Sequence, residues 1–184
     1  RWVVSLPPKR LAGIDANGTL WIFELGRAEL KVVGRYGNVA SPDGPPVVVA
    51  LGEGRSGVVA VSPDGRLLVW SEGVFRAFDV GGVLSRLTFP VPVNLEGKGW
   101  DDLLAVAADG ALVLIGSLPS GPRVVSRVEA HALPDSRITL GSMDGSAELQ
   151  AVVLSDPTDR YPHGVLGDKL EASAVTVIAV TPNA

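Results

Sequence analysis

The sequence predicts an all-β chain with a β-propeller-like architecture of four four-stranded antiparallel blades. These form either a complete four-bladed ring or part of a larger one. Three observations carry this: a recurring hairpin, a fixed period, and the lack of any helical pattern. The hairpin is plainest at Val58–Trp70, VVAVSPDGRLLVW, an apolar run, an Asp-Gly turn and a second apolar run. It recurs at Leu11–Phe23, LAGIDANGTLWIF, and at Leu103–Ile115, LLAVAADGALVLI. The turn glycines Gly18, Gly65 and Gly110 stand at steps of 47 and 45. A small residue followed by a β-branched one forms a second column, Gly13-Ile14, Ala60-Val61, Ala105-Val106 and Ala151-Val152, which carries the period into a fourth unit with a different turn. A third column, Leu6, Leu51, Leu95 and Leu140, has steps of 45, 44 and 45. Repeats of ~40–50 residues, each of four short strands, are the spacing of propeller blades. No segment holds a 3.6-residue apolar period for the ~8–20 residues of a globular helix. Residues 129–133 form at most one helical turn or a loop.

The blade-like units run approximately over 1–44, 45–86, 87–135 and 136–184, together one domain or one propeller segment. In the first, strands are expected at Trp2–Leu6, Leu11–Asp15, Thr19–Leu25 and Glu29–Gly34. The second has Pro46–Leu51, Val58–Ser62, Leu67–Ser71 and Val74–Val80. The third has Thr88–Leu95, Leu103–Ala107, Leu112–Gly116 and Arg123–Ala130. The fourth has Arg137–Leu140, Leu149–Leu154, a weaker Gly164–Leu170 and Ala174–Val180. Val, Ile, Leu and aromatic residues fill the strands, and Gly, Pro, Asp and Ser fill the breaks. Val47-Val48-Val49-Ala50-Leu51 is apolar on both faces, as a strand between two sheets must be. Where blades pack face to face, the small column lets backbones approach and the β-branched residue fills the gap. Trp21 and Trp70, ending third strands, are expected in this packing.

The 22 Gly and 14 Pro lie at turn-like positions rather than in low-complexity tracts. Net charge is −4 and the sixteen basic residues are scattered, so the electrostatic footprint of a nucleic-acid binder is missing. No stretch approaches the ~18 uninterrupted apolar residues of a membrane helix. With no Cys, the chain has no disulfide, thiol nucleophile or cysteine metal site. The chain starts at Arg1, which implies a removed leader or a piece of a longer protein.

The pattern of a Leu, a Gly- and Glu-rich loop, an apolar strand, Asp-Gly and a second apolar strand resembles the FG-GAP/VCBS repeats of integrin-like β-propellers, here in degenerate form. The segments are Leu51–Gly57 before Val58, Leu95–Asp102 before Leu103, and Leu140–Glu148 before Leu149. The Ser62-Pro63-Asp64-Gly65 turn is also similar to turns of WD-like and other bacterial propeller repeats. In the FG-GAP/VCBS family the loop is a calcium-binding ladder of aspartates. Calcium takes six to eight oxygen ligands, whereas these loops offer Glu53, then Glu96, Asp101 and Asp102, then Asp144 and Glu148. The resemblance makes Glu96, Asp101, Asp144 and Glu148 candidate Ca2+ ligands. The alternative is a set of connecting loops that kept the shape and lost the ion.

No catalytic constellation is present. His131 and His163 stand in no metal or triad spacing, there is no nucleophile elbow, and no Gly-rich phosphate loop opens a helix. The most irregular stretch, Ser155–Asp168, puts Asp159, Arg160, Tyr161, His163 and Asp168 where the other units make a short turn. These five residues, with Trp100 in its loop, are the candidate ligand- or partner-contacting residues. The leading expectation is a non-enzymatic interaction module of an exported or cell-surface bacterial protein that binds a protein partner or itself. One alternative is a propeller hydrolase or lyase with its site near residues 155–168. The other is a structural subunit of a larger assembly.

Overall fold

The computed structural model describes residues 2–95, 97–142, 149–155 and 174–179. Among them every regular element is a strand, and no helix is long and apolar enough to cross a membrane. The first sheet holds β1 (Trp2–Leu6), β2 (Arg10–Ile14), β3 (Leu20–Leu25) and β4 (Leu30–Tyr36). The second holds β5 (Val47–Ala50), β6 (Ser56–Val61), β7 (Leu67–Ser71) and β8 (Val74–Phe78). The third holds β9 (Val91–Val93), β10 (Asp102–Val106), β11 (Leu112–Gly116) and β12 (Arg123–Val128). The fourth holds β13 (Thr139–Gly141), β14 (Gln150–Ser155) and β15 (Ala174–Ala179). Each sheet is an antiparallel meander in chain order. Among the described residues no sheet closes on itself.

The alternation of side chains along each strand sorts the apolar residues into three clusters, each between consecutive sheets. Ala12, Ile14, Leu20 and Ile22 of the first sheet meet Val58, Ala60, Leu68 and Trp70 of the second. Val59, Val61, Leu67 and Val69 on the opposite face of the second meet Leu103, Ala105, Val113 and Ile115 of the third. Leu104, Val106, Leu112 and Leu114 then meet Ala151 and Val153 of the fourth. The small column faces the preceding sheet and the β-branched column the following one. Ala105 is fully buried in the interface between the second and third sheets.

The repeated hairpins, Asn-Gly in the first sheet and Asp-Gly in the second and third, turn in three residues. Ser62 N–H donates to Arg66 O at 2.9 Å and Gly65 N–H to Ser62 O at 3.0 Å. Only the glycine takes a left-handed conformation, at φ +74°, +81° and +84° for Gly18, Gly65 and Gly110. This is a type I turn closed by a left-handed glycine, since a type I′ turn needs positive φ at both central residues. The I′ turn occurs instead between β7 and β8, where Glu72 and Gly73 have φ of +50° and +84°.

These glycines also join the sheets. Leu84 N–H donates to Gly65 O at 3.0 Å, and Ser85 N–H donates to Val106 O at 2.9 Å, so the linker is tied to the turn behind it and the strand ahead. The first linker repeats this, with Ala40 N–H on Gly18 O at 3.0 Å and Ser41 N–H on Val61 O at 2.7 Å. After the third sheet, Ala132 N–H reaches Gly110 O at 2.8 Å.

The fourth sheet corrects the expected four-blade, four-strand pattern. Ala174–Ala179 pairs directly with β14, Ala174 opposite Ser155 and Ala179 opposite Gln150, and so takes the third place rather than the fourth. Its Val-Thr-Val-Ile run is a stronger strand former than the Gly- and Asp-bearing Gly164–Leu170, which lies outside the described residues. This sheet therefore has three strands among the described residues.

Candidate functional site

The second and third sheets meet along a seam that opens into a cleft. At its base Leu51 forms an antiparallel bridge with Trp100. Asp101 N–H donates to Ala50 O at 2.9 Å, and Ala50 N–H donates to Asp101 Oδ2 at 2.6 Å. One carboxylate oxygen of Asp101 thus fastens the end of β5 to the loop before β10. The first wall is the loop after Leu51. Gly52, Glu53 and Gly54 all have positive φ, at +82°, +55° and +70°. Arg55 N–H closes the turn on Gly52 O at 2.9 Å. A Cβ on Gly52 would lie 3.7 Å from Cε3 of Trp100, so the indole lies against this loop. The second wall is Lys98-Gly99-Trp100. The third is the β11–β12 turn, in which Ser117 has φ +61° and its carbonyl accepts from Ser120 and Gly121 at 3.0 Å each.

The cleft has a volume of about 380 Å³ and is lined by Leu51, Glu53, Arg55, Lys98, Trp100, Ser117 and Pro119 among others. A hollow of about 240 Å³ shares Leu51, Arg55 and Pro119 with it and continues towards Glu72, Arg76 and Phe78. The cleft is in the size range of small-ligand pockets, about 300–1,000 Å³. Arg55 pairs with Glu53 at 3.4 Å, their side chains 43% and 85% exposed. So open a pair contributes about 0–1 kcal/mol, and a ligand carboxylate can replace Glu53 at little cost. Asp102 is buried beside the cleft. Burial pushes its carboxyl above the usual carboxylate range, the Lys98 charge and the Ser117 N–H pull it back, and the Asp101 charge adds to the rise. Asp102 thereby couples the second and third walls.

Of the residues singled out from sequence, Trp100 stands in this cleft and Asp101 in the seam beneath it. Glu96, Asp144, Glu148, Asp159, Arg160, Tyr161, His163 and Asp168 lie outside the described residues. Among the described residues no three His, Asp or Glu side chains gather as a metal set. His131 sits in the linker after the third sheet at φ +48°. Arg55 and Lys98 line the cleft without having been singled out, while Glu53 and Asp102, named as loop carboxylates, line or flank it. The glycine-flanked Gly52-Glu53-Gly54 loop with Arg55 at its end was the signal available in the sequence.

Trp70 is buried as expected, its Nε1–H donating to Tyr36 Oη at 2.9 Å across the first interface. Trp21 departs from the expectation. It is half-buried on the face of the first sheet turned away from the second, and its Nε1–H donates to Asp15 at 3.0 Å. It stacks on Phe23 at 6.2 Å and lies under the Arg35 guanidinium at 5.1 Å. Comparison with protein-family models, with curated proteins and with solved structures found no match.

Proposed function

We propose that the protein is a non-enzymatic binding module with a degenerate FG-GAP/VCBS-like propeller architecture, and that the Trp100 cleft receives an extended segment of a protein partner. The observation that carries this reading is the cleft itself. An indole, a proline and a leucine form its apolar part, and Arg55 and Lys98 outweigh Glu53 at its rim. That chemistry fits an apolar side chain next to a carboxylate. Aromatic and arginine side chains in a desolvated pocket carry most binding energy at protein interfaces. The propeller reading is supported by the meander sheets, their serial face-to-face packing and the ~45-residue period.

The test uses peptides selected from a random display library on the purified chain, with affinities measured by calorimetry. Trp100→Ala should weaken the selected peptides by about tenfold or more, the loss of roughly 1.4 kcal/mol. Arg55→Ala should act mainly on peptides with an acidic residue. Failure to enrich any peptide, or equal affinity for Trp100→Ala, contradicts the proposal.

A further inference from the structure

We infer that the segment bound at the Trp100 cleft continues into the hollow beside Phe78, where it seats an aromatic side chain with a carboxylate next to it, selected by Phe78 and Arg76. This rests on the reading of the cleft as a peptide site and names what the second half of the segment carries. The repeat shows why the hollow is there. Leu20, Leu67 and Leu112 each stand two residues after a turn glycine, and their partners on the outer strands are Tyr36, Phe78 and Val128. At the first interface Tyr36 is fully engaged. Its ring stacks on Phe75 at 4.9 Å and 21°, and its Oη accepts from Trp70 Nε1–H at 2.9 Å. Phe78 holds the place of Tyr36 at the second interface. There the places of the cross-strand pair Trp70–Phe75 are taken by Ile115–Val124.

Strands β10, β11 and β12 carry no aromatic residue, and among the described residues no ring stands against Phe78. The second interface is short of that bulk. Beside Phe78 it leaves the hollow of about 240 Å³, walled by Val69, Val74 and Phe78 of the second sheet and by Leu118 and Pro119 of the β11–β12 turn. A ring entering here meets Phe78 as Phe75 meets Tyr36, in the offset stacking that aromatic pairs favour. Alternation along β8 puts Arg76 on the same face as Val74 and Phe78. Arg76 is exposed, and among the described residues its guanidinium makes no ion pair or hydrogen bond. Leu51, Arg55 and Pro119 line both the cleft and the hollow, so the two spaces form one groove. Along it Arg55, Arg76 and Lys98 stand against Glu53 and Glu72. An anionic segment complements that balance. Its apolar residue lies on Trp100, its aromatic residue on Phe78, and its carboxylates meet Arg55 and Arg76.

The test is calorimetry of peptides selected by display on the full chain, against variants of the hollow. The selected peptides should share an aromatic and an acidic residue besides the apolar residue that needs Trp100. Changing the peptide's aromatic residue to Ala should weaken binding by about tenfold. Arg76→Ala, at an exposed position, should keep the circular dichroism spectrum and weaken binding by about fivefold, with the loss confined to peptides that carry the acidic residue. Phe78→Leu should weaken the peptide that has its aromatic residue and leave the one without it unchanged, the non-additivity that marks direct contact. Phe78 is half-buried, so if that variant does not fold, Arg76→Ala and the peptide substitution decide the matter. Peptides that need Trp100 but bind the hollow variants as tightly as the wild type overturn the inference and leave the cleft reading standing. Failure to enrich any peptide, or binding that does not need Trp100, overturns both.

Discussion

Asp102 is the residue at which burial and charge are most directly opposed. Only 7% of it is exposed, and desolvation outweighs the pull of Lys98 and of the Ser117 N–H, so its carboxyl titrates above its ordinary value. The native state then binds a proton more tightly than the unfolded chain, whose aspartates titrate at about 3.9. Its contribution to stability is therefore fully present below that unfolded value and lost as pH rises through the native one. Asp102→Asn, which keeps an oxygen to accept from Ser117, should raise the urea midpoint at neutral pH. The gain should shrink as the pH is lowered towards about 4. A gain that instead grows on acidification contradicts this. At the same scale, Asp101 shows where sequence reasoning stops. The family resemblance made it a candidate calcium ligand, and nothing in the sequence signals that its Oδ2 accepts from the N–H of Ala50, 51 residues away. No local pattern encodes a contact that depends on how two sheets are stacked.

The elements were the most legible part of the sequence. Runs of Val, Ile, Leu and aromatic residues between Gly-bearing turns placed the strands of the first three sheets within a few residues, because those signals are local. The fourth sheet was misread because 18 residues, 156–173, separate β14 from β15 where the other units have a short turn, and a weak run among them was taken for the third strand that Ala174–Ala179 supplies. The turn glycines were legible as turn formers but not as ties between sheets. Gly65 and Gly81 separate the two roles. Both have left-handed φ, +81° and +88°, but a methyl on Gly65 would lie 2.7 Å from Leu84 O, whereas nothing stands within 4 Å at Gly81. Gly81→Ala should cost about 1–2 kcal/mol, the backbone penalty alone. Gly65→Ala must also push the linker off the turn and should cost clearly more, about 3 kcal/mol or above. Equal losses in urea unfolding would mean that the linker yields and that the turn does not fix the next sheet.

At the scale of the molecule, the described sheets are stacked so that each of the three interfaces draws on the same columns. The period was visible in the sequence. The face on which Trp21 stands was not, and the indole lies half-buried on the side of the first sheet turned away from the second. The candidate site was legible only in part, since Trp100 stood out as a loop aromatic while Arg55 and Lys98 looked like ordinary surface charges. They become a site because the second and third sheets bring residues 52–55, 98–100 and 117–120 to one cleft. The most direct test of this account is amide hydrogen exchange on the full chain, with and without a saturating peptide selected by display. These three segments, far apart in sequence, should gain protection together while residues 2–36 stay unchanged. Protection confined to one segment, or appearing on a different pair of sheets, would contradict it.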